Sequence, residues 1–354
     1  MRKPTLYLAV VLHMHQPRYN LTGPTYESET ARGVFNQTLH PYTYPPDVIR
    51  KYENAKVTFN FTGSLIEQLN ELMNVNFDLR LRGLWERYKE AKKLGRAEFT
   101  GCGYFHPIFP LIPEDDRRKQ IEMHLEIFEE TFEGRPSGFW LPELAFSMKV
   151  VPVLAEMGFK WTVVDEPHVV NANKDRERHE LLYRPHYVEY DGQRIVVIPR
   201  HRGVSNAQQS GYNPMWLKNE IENRIQPYND GDFLLTVATD GENGWFRHSG
   251  ENAGFWGWFF EPLLYLLNKD LDFKFIELTN IDEYLEKHPP KDTVVVEDGS
   301  WNVPETSDDG RFLKWTEGEH RKKTWSQILE TSELIHEVNK RVKALGENCP
   351  PEAV

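Results

Sequence analysis

The sequence predicts an α/β protein whose parallel sheet closes into a barrel. Short apolar runs alternate with amphipathic stretches along most of the 354 residues, which is the pattern of repeated strand–helix units. Seven or eight such units favour a closed barrel over an open doubly wound sheet. No G-x-G-x-x-G motif follows the first apolar run, so the dinucleotide-binding fold lacks its best marker.

The first predicted strand covers residues 5–12, directly after a charged start at Met1-Arg-Lys. A short signal peptide is the alternative for this charge and apolar order, but no small-residue cleavage site follows the run. A first barrel strand therefore explains it better. The other predicted strands are residues 56–61, 98–101, 138–141, 161–164, 194–199, 233–238 and 273–278.

Helices are predicted between these strands and after them. The amphipathic stretches are residues 65–73, 84–94, 117–132, 150–157, 213–225 and 254–267. Residues 317–345 are long and highly charged, which indicates a terminal helix or helix pair on the outside. Residues 167–190 are polar, and 171–179 are interpreted as an exposed loop. The predicted organisation is a barrel over residues 1–290 and a helical extension over 291–354.

The composition excludes several classes of protein. The net charge is −12 without any long basic block, so a nucleic-acid footprint is not expected. No apolar run approaches the ~18 residues of a membrane-spanning helix. Cys102 and Cys349 are the two cysteines, and they imply no disulfide framework. We expect a soluble, cytoplasmic protein. With 10 tryptophans, several near acidic residues in glycine-rich segments, a minority of the aromatic side chains is expected to line a ligand surface.

Unusual polar residues follow five of the predicted strands. His13 and His15 follow the first strand, and the third leads into His106. The later strand ends are Glu143, Asp165 and Asp240. In a barrel the carboxyl ends of the strands converge on one face, which is where composite active sites form.

Glu143 and Asp240 are the strongest catalytic candidates. Each closes an apolar run and has aromatic neighbours, Trp140 beside the first and Trp245 beside the second. Glycoside cleavage needs one carboxyl group to protonate the leaving oxygen and another to attack the sugar or activate water. Capping of the following helix is an equal competitor for either acid. Glu242 is the main rival of Asp240, as a substrate-binding, histidine-orienting or capping residue.

The histidines and Trp301 each permit several interpretations. His13 and His15 share one face of a strand, so with Asp165 or His106 they could hold zinc or another divalent metal. They could instead donate hydrogen bonds to sugar hydroxyls, or merely order the first loop. Trp301 could stack on a pyranose ring, although a lone tryptophan is more often part of the core.

Together, these segments resemble glycoside hydrolase family 57. Its short regions occur in order as HMHQP at 13–17, GCGYFHP at 101–107, GFWLPE at 138–143 and TDGENGW at 239–245. A looser aromatic segment at 301–325 stands for the fifth. The resemblance implies an incomplete (β/α)7 barrel and a retaining double displacement on α-1,4-linked glucans or maltooligosaccharides, with α-1,6 linkages as a further option.

The resemblance also implies roles for individual residues. Glu143 would be the nucleophile and Asp240 the general acid/base, and neither a metal nor a cofactor is expected. The substrate-binding residues would be His13, His15, His106, Trp140, Glu242, Trp245 and Trp301. Leu144 after the nucleophile is similar to the amylase and amylopullulanase side of the family, since branching members carry cysteine there.

Three alternatives to this function remain open from the sequence. A 4-α-glucanotransferase would use the same two acids, and a metal-dependent polysaccharide deacetylase would use the histidines with Asp165 or Asp240. A carbohydrate-binding protein without catalysis is the third, which the presence of both acids disfavours. Many members of the family are longer than this chain, which leaves branching and long-polymer binding in doubt. The oligomeric state cannot be read from the sequence.

Overall fold

In the computed structural model, which describes residues 5–21, 26–209, 213–225, 232–242, 255–301 and 312–344, nine strands form one sheet. The strands are β1 Leu6–Met14, β2 Val57–Phe61, β3 Ala97–Gly101, β4 Gly138–Phe139, β5 Trp161–Asp165, β6 His186–Tyr190, β7 Gln193–Arg200, β8 Phe233–Asp240 and β9 Ile276–Leu278. Their order in the sheet is β6-β7-β5-β4-β3-β2-β1-β8, with β9 paired to β1.

Seven of these strands form a parallel barrel that is not fully closed. Every neighbouring pair from β7 through β5, β4, β3, β2 and β1 to β8 is parallel, whereas β6 runs antiparallel to β7. In the described residues no ladder joins the end strands β7 and β8. Arg200 Nε instead donates to the Ala238 carbonyl at 2.7 Å, and His201 N donates to the Thr236 carbonyl at 2.9 Å. The predicted incomplete (β/α)7 barrel is thereby confirmed.

Helices surround the barrel and extend beyond its last strand. They are α1 Tyr26–Thr43, α2 Pro45–Lys51, α3 Gly63–Asn74, α4 Leu84–Lys93, α5 Glu114–Phe132, α6 Val151–Glu156, α7 Glu166–Ala172, α8 Arg178–Leu182, α9 Arg202–Gln209, α10 Pro214–Glu220, α11 Glu261–Lys269, α12 Ile281–Lys287, α13 Leu313–Thr316 and α14 Glu319–Ala344. Short π-helical turns at Ile221–Ile225 and Phe255–Phe260 adjoin α10 and α11. Within the described ranges, no helix combines the length and apolarity needed to cross a membrane.

Strand β1 shows why the strands are nearly continuous apolar runs. All nine of its residues are buried, as expected for a parallel strand with helices on one face and the barrel interior on the other. Leu8, Val10 and Leu12 belong to the core under the helices, whereas Ala9 and Val11 belong to the core inside the barrel. Because side chains alternate along a strand, His13 continues the inward-facing series.

Some predictions of local structure are wrong in part. The polar region 167–190 contains α7, α8 and the antiparallel strand β6, and Arg178 and His179 of the expected exposed loop lie in α8. Burial of Leu181 and Leu182 in α8 explains why this segment folds despite its polarity. The predicted strand at 273–278 is shorter, since Leu271–Phe273 form a 3₁₀ turn before β9. The terminal helix predicted for residues 317–345 is confirmed as one long helix, α14, which is preceded by the single turn α13.

The predicted domain boundary at residue 290 falls just before a segment that returns to the barrel. Tyr187 N donates to the Asp292 carbonyl at 2.9 Å, and Val294 N donates to the Tyr187 carbonyl at 2.8 Å. Phe146 and Gly299 exchange two backbone hydrogen bonds of 2.8 and 3.0 Å. Residues 292–299 are therefore attached to the barrel wall, and this attachment places Trp301 beside Glu143. A division of the chain at 290 stays a prediction.

We expect opposite effects on stability from alanine at two glycines. A Cβ on Gly138 of β4 would overlap the indole ring of the fully buried Trp161, whereas a Cβ on Gly33 of α1 would meet no atom within 4 Å. Overpacking should make Gly138→Ala less stable by about 1–3 kcal/mol. Gly33→Ala should be more stable by about 0.5–1 kcal/mol, because alanine is the better helix former. Denaturant unfolding measures both, and a Gly138→Ala variant as stable as the parent would contradict this packing.

Candidate active site

The register of β1 against its neighbours brings the first polar residues of the site together. His13 lies opposite Asn60 of β2 on one side and opposite Asp240 of β8 on the other. The carboxyl ends of three adjacent strands therefore meet at His13. His15 lies just beyond the end of β1, and its Nδ1 is 3.0 Å from Thr62 Oγ1.

A hydrogen-bonded chain links Asn60, His13 and His106. Asn60 Nδ2 donates to Thr100 Oγ1 at 3.0 Å, which leaves Asn60 Oδ1 as the acceptor for His13 Nδ1 at 2.7 Å. A neutral His13 then has no proton on Nε2, and this nitrogen accepts from His106 Nε2 at 2.9 Å. His106 thus keeps Nδ1 as an acceptor.

Burial keeps these imidazoles neutral. It lowers the pKa of His13 to about 3, with a contribution from His15, and it lowers the pKa of His15 to about 4. The pKa of His106 is also well below its usual value, because of burial first and the two neighbouring histidines second. The rings of His15 and His106 are stacked with centroids 4.0 Å apart. Near neutral pH the cluster offers hydrogen bonds without positive charge.

Glu143 lies on a strained turn directly after β4. Pro142–Leu144 form a 3₁₀ turn, with φ of 59° at Glu143 and 47° at Leu144. The left-handed region is unfavourable for residues other than glycine, so each position carries about 1–2 kcal/mol of strain. Burial of Leu144 and a 3.1 Å hydrogen bond from Trp301 N to the Glu143 carbonyl hold the turn in place. Strain of this kind is concentrated at functional sites.

Both donors to the Glu143 carboxylate bind the same oxygen. Trp301 Nε1 and Lys314 Nζ each lie 3.2 Å from Oε2. In the described part of the chain Oε1 accepts no hydrogen bond, and the side chain is 26% exposed. One carboxylate oxygen is therefore fixed in direction while the other remains available to a ligand.

Trp140 and Trp301 form the aromatic wall of the site. Trp140 is fully buried and stacks on His13 with ring centroids 4.9 Å apart. Trp301 is 3% exposed and meets Trp140 edge-on at 5.5 Å. The guanidinium of Arg200 lies 5.5 Å from the Trp301 ring centroid, a cation–π distance. These contacts fix the indole edge that Trp301 presents to Glu143.

Glu242 is a buried carboxyl group held by α1 and by the backbone after β1. Its Oε1 accepts from Tyr42 Oη and from His15 N, both at 2.9 Å. Burial first and the charge of the nearby Asp240 second raise the pKa of Glu242 to about 8. Asp240 itself ends β8 and is half-buried. The two carboxyl groups therefore disfavour simultaneous ionisation.

Gly241, the residue between these two acids, has no open space on its Cβ side. A Cβ on Gly241 would overlap the Met14 side chain, so Met14 fills that space. The Gly241 N–H donates to the His13 carbonyl at 2.7 Å. Gly241 therefore allows β8 to turn tightly against β1.

Asp165 is already engaged and does not join the histidine cluster. Its two oxygens bind Arg200 at 3.0 Å and Arg202 at 2.6 Å, and its side chain is fully buried. Within the ranges that the structure describes, no group of three histidine, cysteine or acidic side chains is arranged to hold a metal ion. Asp165 is therefore not available to bind a metal with His13 and His15, and that predicted combination of ligands is wrong.

The structure brings together eight of the nine site residues that the sequence predicts, and Trp245 lies outside the described residues. Sequence reasoning missed Tyr42, Arg200 and Lys314, which contact Glu242, Trp301 and Glu143 respectively. Lys314 alone had a signal, since it lies in the aromatic segment between Trp301 and Trp325.

Comparisons with known proteins agree with the family resemblance of the sequence. The sequence model of glycosyl hydrolase family 57 matches residues 9–297. An α-amylase from Pyrococcus furiosus is 27% identical over 306 residues, which cover 83% of this chain and 42% of that protein. A 4-alpha-glucanotransferase from Thermococcus litoralis is 27% identical over 305 residues, which cover 83% and 41% respectively. The chain thus spans less than half the length of these relatives.

One solved structure supports the same fold. A GH57-type branching enzyme from Pyrococcus horikoshii matches with a TM-score of 0.69 at 17% identity, over 94% of this chain and 79% of that one. At this identity the likeness concerns the fold.

Glu242 should make the protein less stable as the pH rises. Its folded-state pKa of about 8 lies above the usual value of 4.5, so the folded protein retains a proton that the unfolded chain releases between these values. The free energy of unfolding should then fall by up to about 1.4 kcal/mol per pH unit in this window. Glu242→Gln should flatten that fall, as measured by urea unfolding at pH 5, 6.5 and 8.

The matched control is Glu53→Gln, which changes an exposed carboxyl group outside the site. Its pH dependence should equal that of the parent. An equally steep fall in Glu242→Gln and the parent would contradict the raised pKa of Glu242.

Proposed function

Because the chain belongs to glycosyl hydrolase family 57, we propose that it is a retaining glycoside hydrolase of the α-amylase or amylopullulanase type. Its substrates would be α-1,4-linked glucans or maltooligosaccharides, with α-1,6 linkages as a further option. The observation that carries the proposal is the Glu143 carboxylate, with Oε2 held by two donors and Oε1 left open. The names of the relatives, an α-amylase and a 4-alpha-glucanotransferase, support the choice of α-glucans.

In the first step Glu143 Oε1 would attack the anomeric carbon and form a glycosyl-enzyme ester. The bond from that carbon to the glycosidic oxygen breaks, and Asp240 donates a proton to the departing oxygen. The two carboxyl groups of a retaining enzyme must lie roughly 5–5.5 Å apart for this exchange. The strained turn at Glu143 would keep the nucleophile aimed before substrate arrives.

In the second step Asp240, now ionised, would take a proton from water. The resulting hydroxyl attacks the anomeric carbon from the opposite face, the ester bond breaks, and Glu143 departs as a carboxylate. Two inversions at the same carbon give net retention.

The surrounding residues would bind the sugar and position the acids. His15 Nε2 has no protein partner in the described residues and His106 keeps an acceptor nitrogen, so both can bind hydroxyl groups. His13 uses both ring nitrogens within the protein, so we assign it to orienting His106. Glu242 would be largely protonated while Asp240 is ionised, and the two carboxyl groups would share this one proton. Trp140 and Trp301 would support the nucleophile, and Trp245 stays a prediction.

A 4-α-glucanotransferase is the second candidate function. It would use the same glycosyl-enzyme but pass the sugar to a hydroxyl group of another glucan, and one of the matched relatives carries that name. The metal-dependent deacetylase is less favoured, because Asp165 is bound to two arginines rather than to the histidines.

Loss of either proposed catalytic acid should abolish turnover without unfolding the protein. Glu143→Gln and Asp240→Asn should each lower kcat on maltoheptaose by about 10³-fold or more. Thermal unfolding should stay close to that of the parent, and Glu126→Gln on the outer face of α5 is the matched control. Parent-like turnover in a purified, folded Glu143→Gln or Asp240→Asn protein would refute the role of that residue.

The products formed from maltoheptaose separate the three candidate functions. Hydrolysis gives only shorter oligosaccharides, whereas transfer also gives longer ones. Because the proposed mechanism is retaining, the anomer first released by hydrolysis should be α. Activity should survive EDTA. Loss of activity on chelation, with recovery on adding zinc, would instead favour a metal-dependent enzyme.

A further inference from the structure

Lys314 of α13 reaches the carboxylate of Glu143 from a part of the chain far from the barrel strands. Its Nζ lies 3.2 Å from Oε2, although the two residues are 171 positions apart. The ammonium also lies 5.0 Å from the ring centroid of the adjacent Trp315, which supports its stem. Among the described residues, Lys314 contributes the one cation that contacts the Glu143 carboxylate.

The turn α13, which carries Lys314, is anchored next to the turn Pro142–Leu144, which carries Glu143. Phe312 is buried, and it packs with Ile108 and Ala145 in a small apolar cluster. Ala145 lies two residues after Glu143, and Ile108 lies two residues after His106. The cluster therefore ties the start of α13 to two segments of the site. Phe312 has φ of 64°, so the chain turns sharply here before it enters α13.

The long helix α14 holds this turn from the other side. Trp325 Nε1 donates to the Trp315 carbonyl at 2.9 Å. Further along α14, Ser332 Oγ and His336 Nε2 bind the two oxygens of Asp116 in α5 at 2.6 and 2.7 Å. Ser332 is the one buried residue of α14, so these polar contacts dominate its attachment to the barrel.

We infer that Lys314 is a positioning residue for the Glu143 carboxylate, and that residues 312–344 complete the active site by delivering it. The inference rests on the proposed function, since it takes Glu143 as the nucleophile. Lys314 and Trp301 together fix the direction of Oε2 and so aim Oε1. In the second step the ammonium also stabilises the carboxylate as it departs from the sugar.

The charge of Lys314 should affect the second step of the reaction. Without the ammonium, Oε2 keeps only the indole donor and the departing carboxylate loses a compensating charge, so the second step should slow. Substitution of Lys314 leaves the other titratable or charged side chains of the site in place. They are His13, His15, His106, Arg200, Asp240 and Glu242.

The test compares Lys314→Met with the conservative Lys314→Arg and with Lys323→Met, an exposed lysine on α14. Lys314→Met should lower kcat on maltoheptaose by about 3- to 30-fold, with a smaller fall in kcat/KM, because departure of Glu143 is slowed. Lys314→Arg should recover most of kcat, and Lys323→Met should match the parent throughout.

Two outcomes would overturn the inference. One is a folded Lys314→Met variant with the kcat of the parent, and the other is a rise in KM alone, which would make Lys314 a substrate contact. Since Lys314 is half-exposed, thermal unfolding should match Lys323→Met. Glu143→Gln distinguishes this failure from failure of the proposed function. If Glu143→Gln is active, Glu143 is not the nucleophile. If Glu143→Gln is inactive while Lys314→Met resembles the parent, only the role of Lys314 is refuted.

Discussion

The pairing of β1 with both β2 and β8 is the constraint on which the site depends. It sets His13 opposite Asn60 on one side and opposite Asp240 on the other. A shift of one residue in either ladder would turn His13 away from the barrel interior, because side-chain direction alternates along a strand. The tight turn at Gly241, packed on Met14, closes the same arrangement from the β8 side.

The acids of the site lie in two different environments. Glu143 is partly exposed, bound by an indole and an ammonium, and held on a strained turn. Glu242 is buried with a raised pKa and lies close to Asp240. Carboxyl groups in environments that differ in this way can take separate nucleophilic and proton-transfer roles within one active site. The neutral imidazoles of the site add hydrogen-bonding capacity without charge.

Much of the barrel could be predicted from the sequence, because parallel strands are buried on both faces and appear as apolar runs. The strand β6 and the helices α7 and α8 could not, since their polar segment is stabilised by a few buried residues such as Leu181 and by pairing with β7.

The candidate acids could be found because they end strands. Tyr42 and Lys314 could not, because they reach Glu242 and Glu143 from 200 and 171 positions away along the chain, and no local pattern records such contacts. The filling of the space beside Gly241 is likewise not recorded in the local sequence. Only the packing of β1 against β8 shows that Met14 occupies it.

The central claim is that Glu143 forms the covalent bond to the sugar. The most direct measurement is mass spectrometry of the peptides of the protein after incubation with a 5-fluoro-α-glucosyl fluoride, which slows release of the glycosyl-enzyme. We predict one added fluoroglucosyl group on the peptide that contains Glu143, and none in Glu143→Gln. A label on Asp240 or Glu242, or full inactivation without any covalent label, would contradict it.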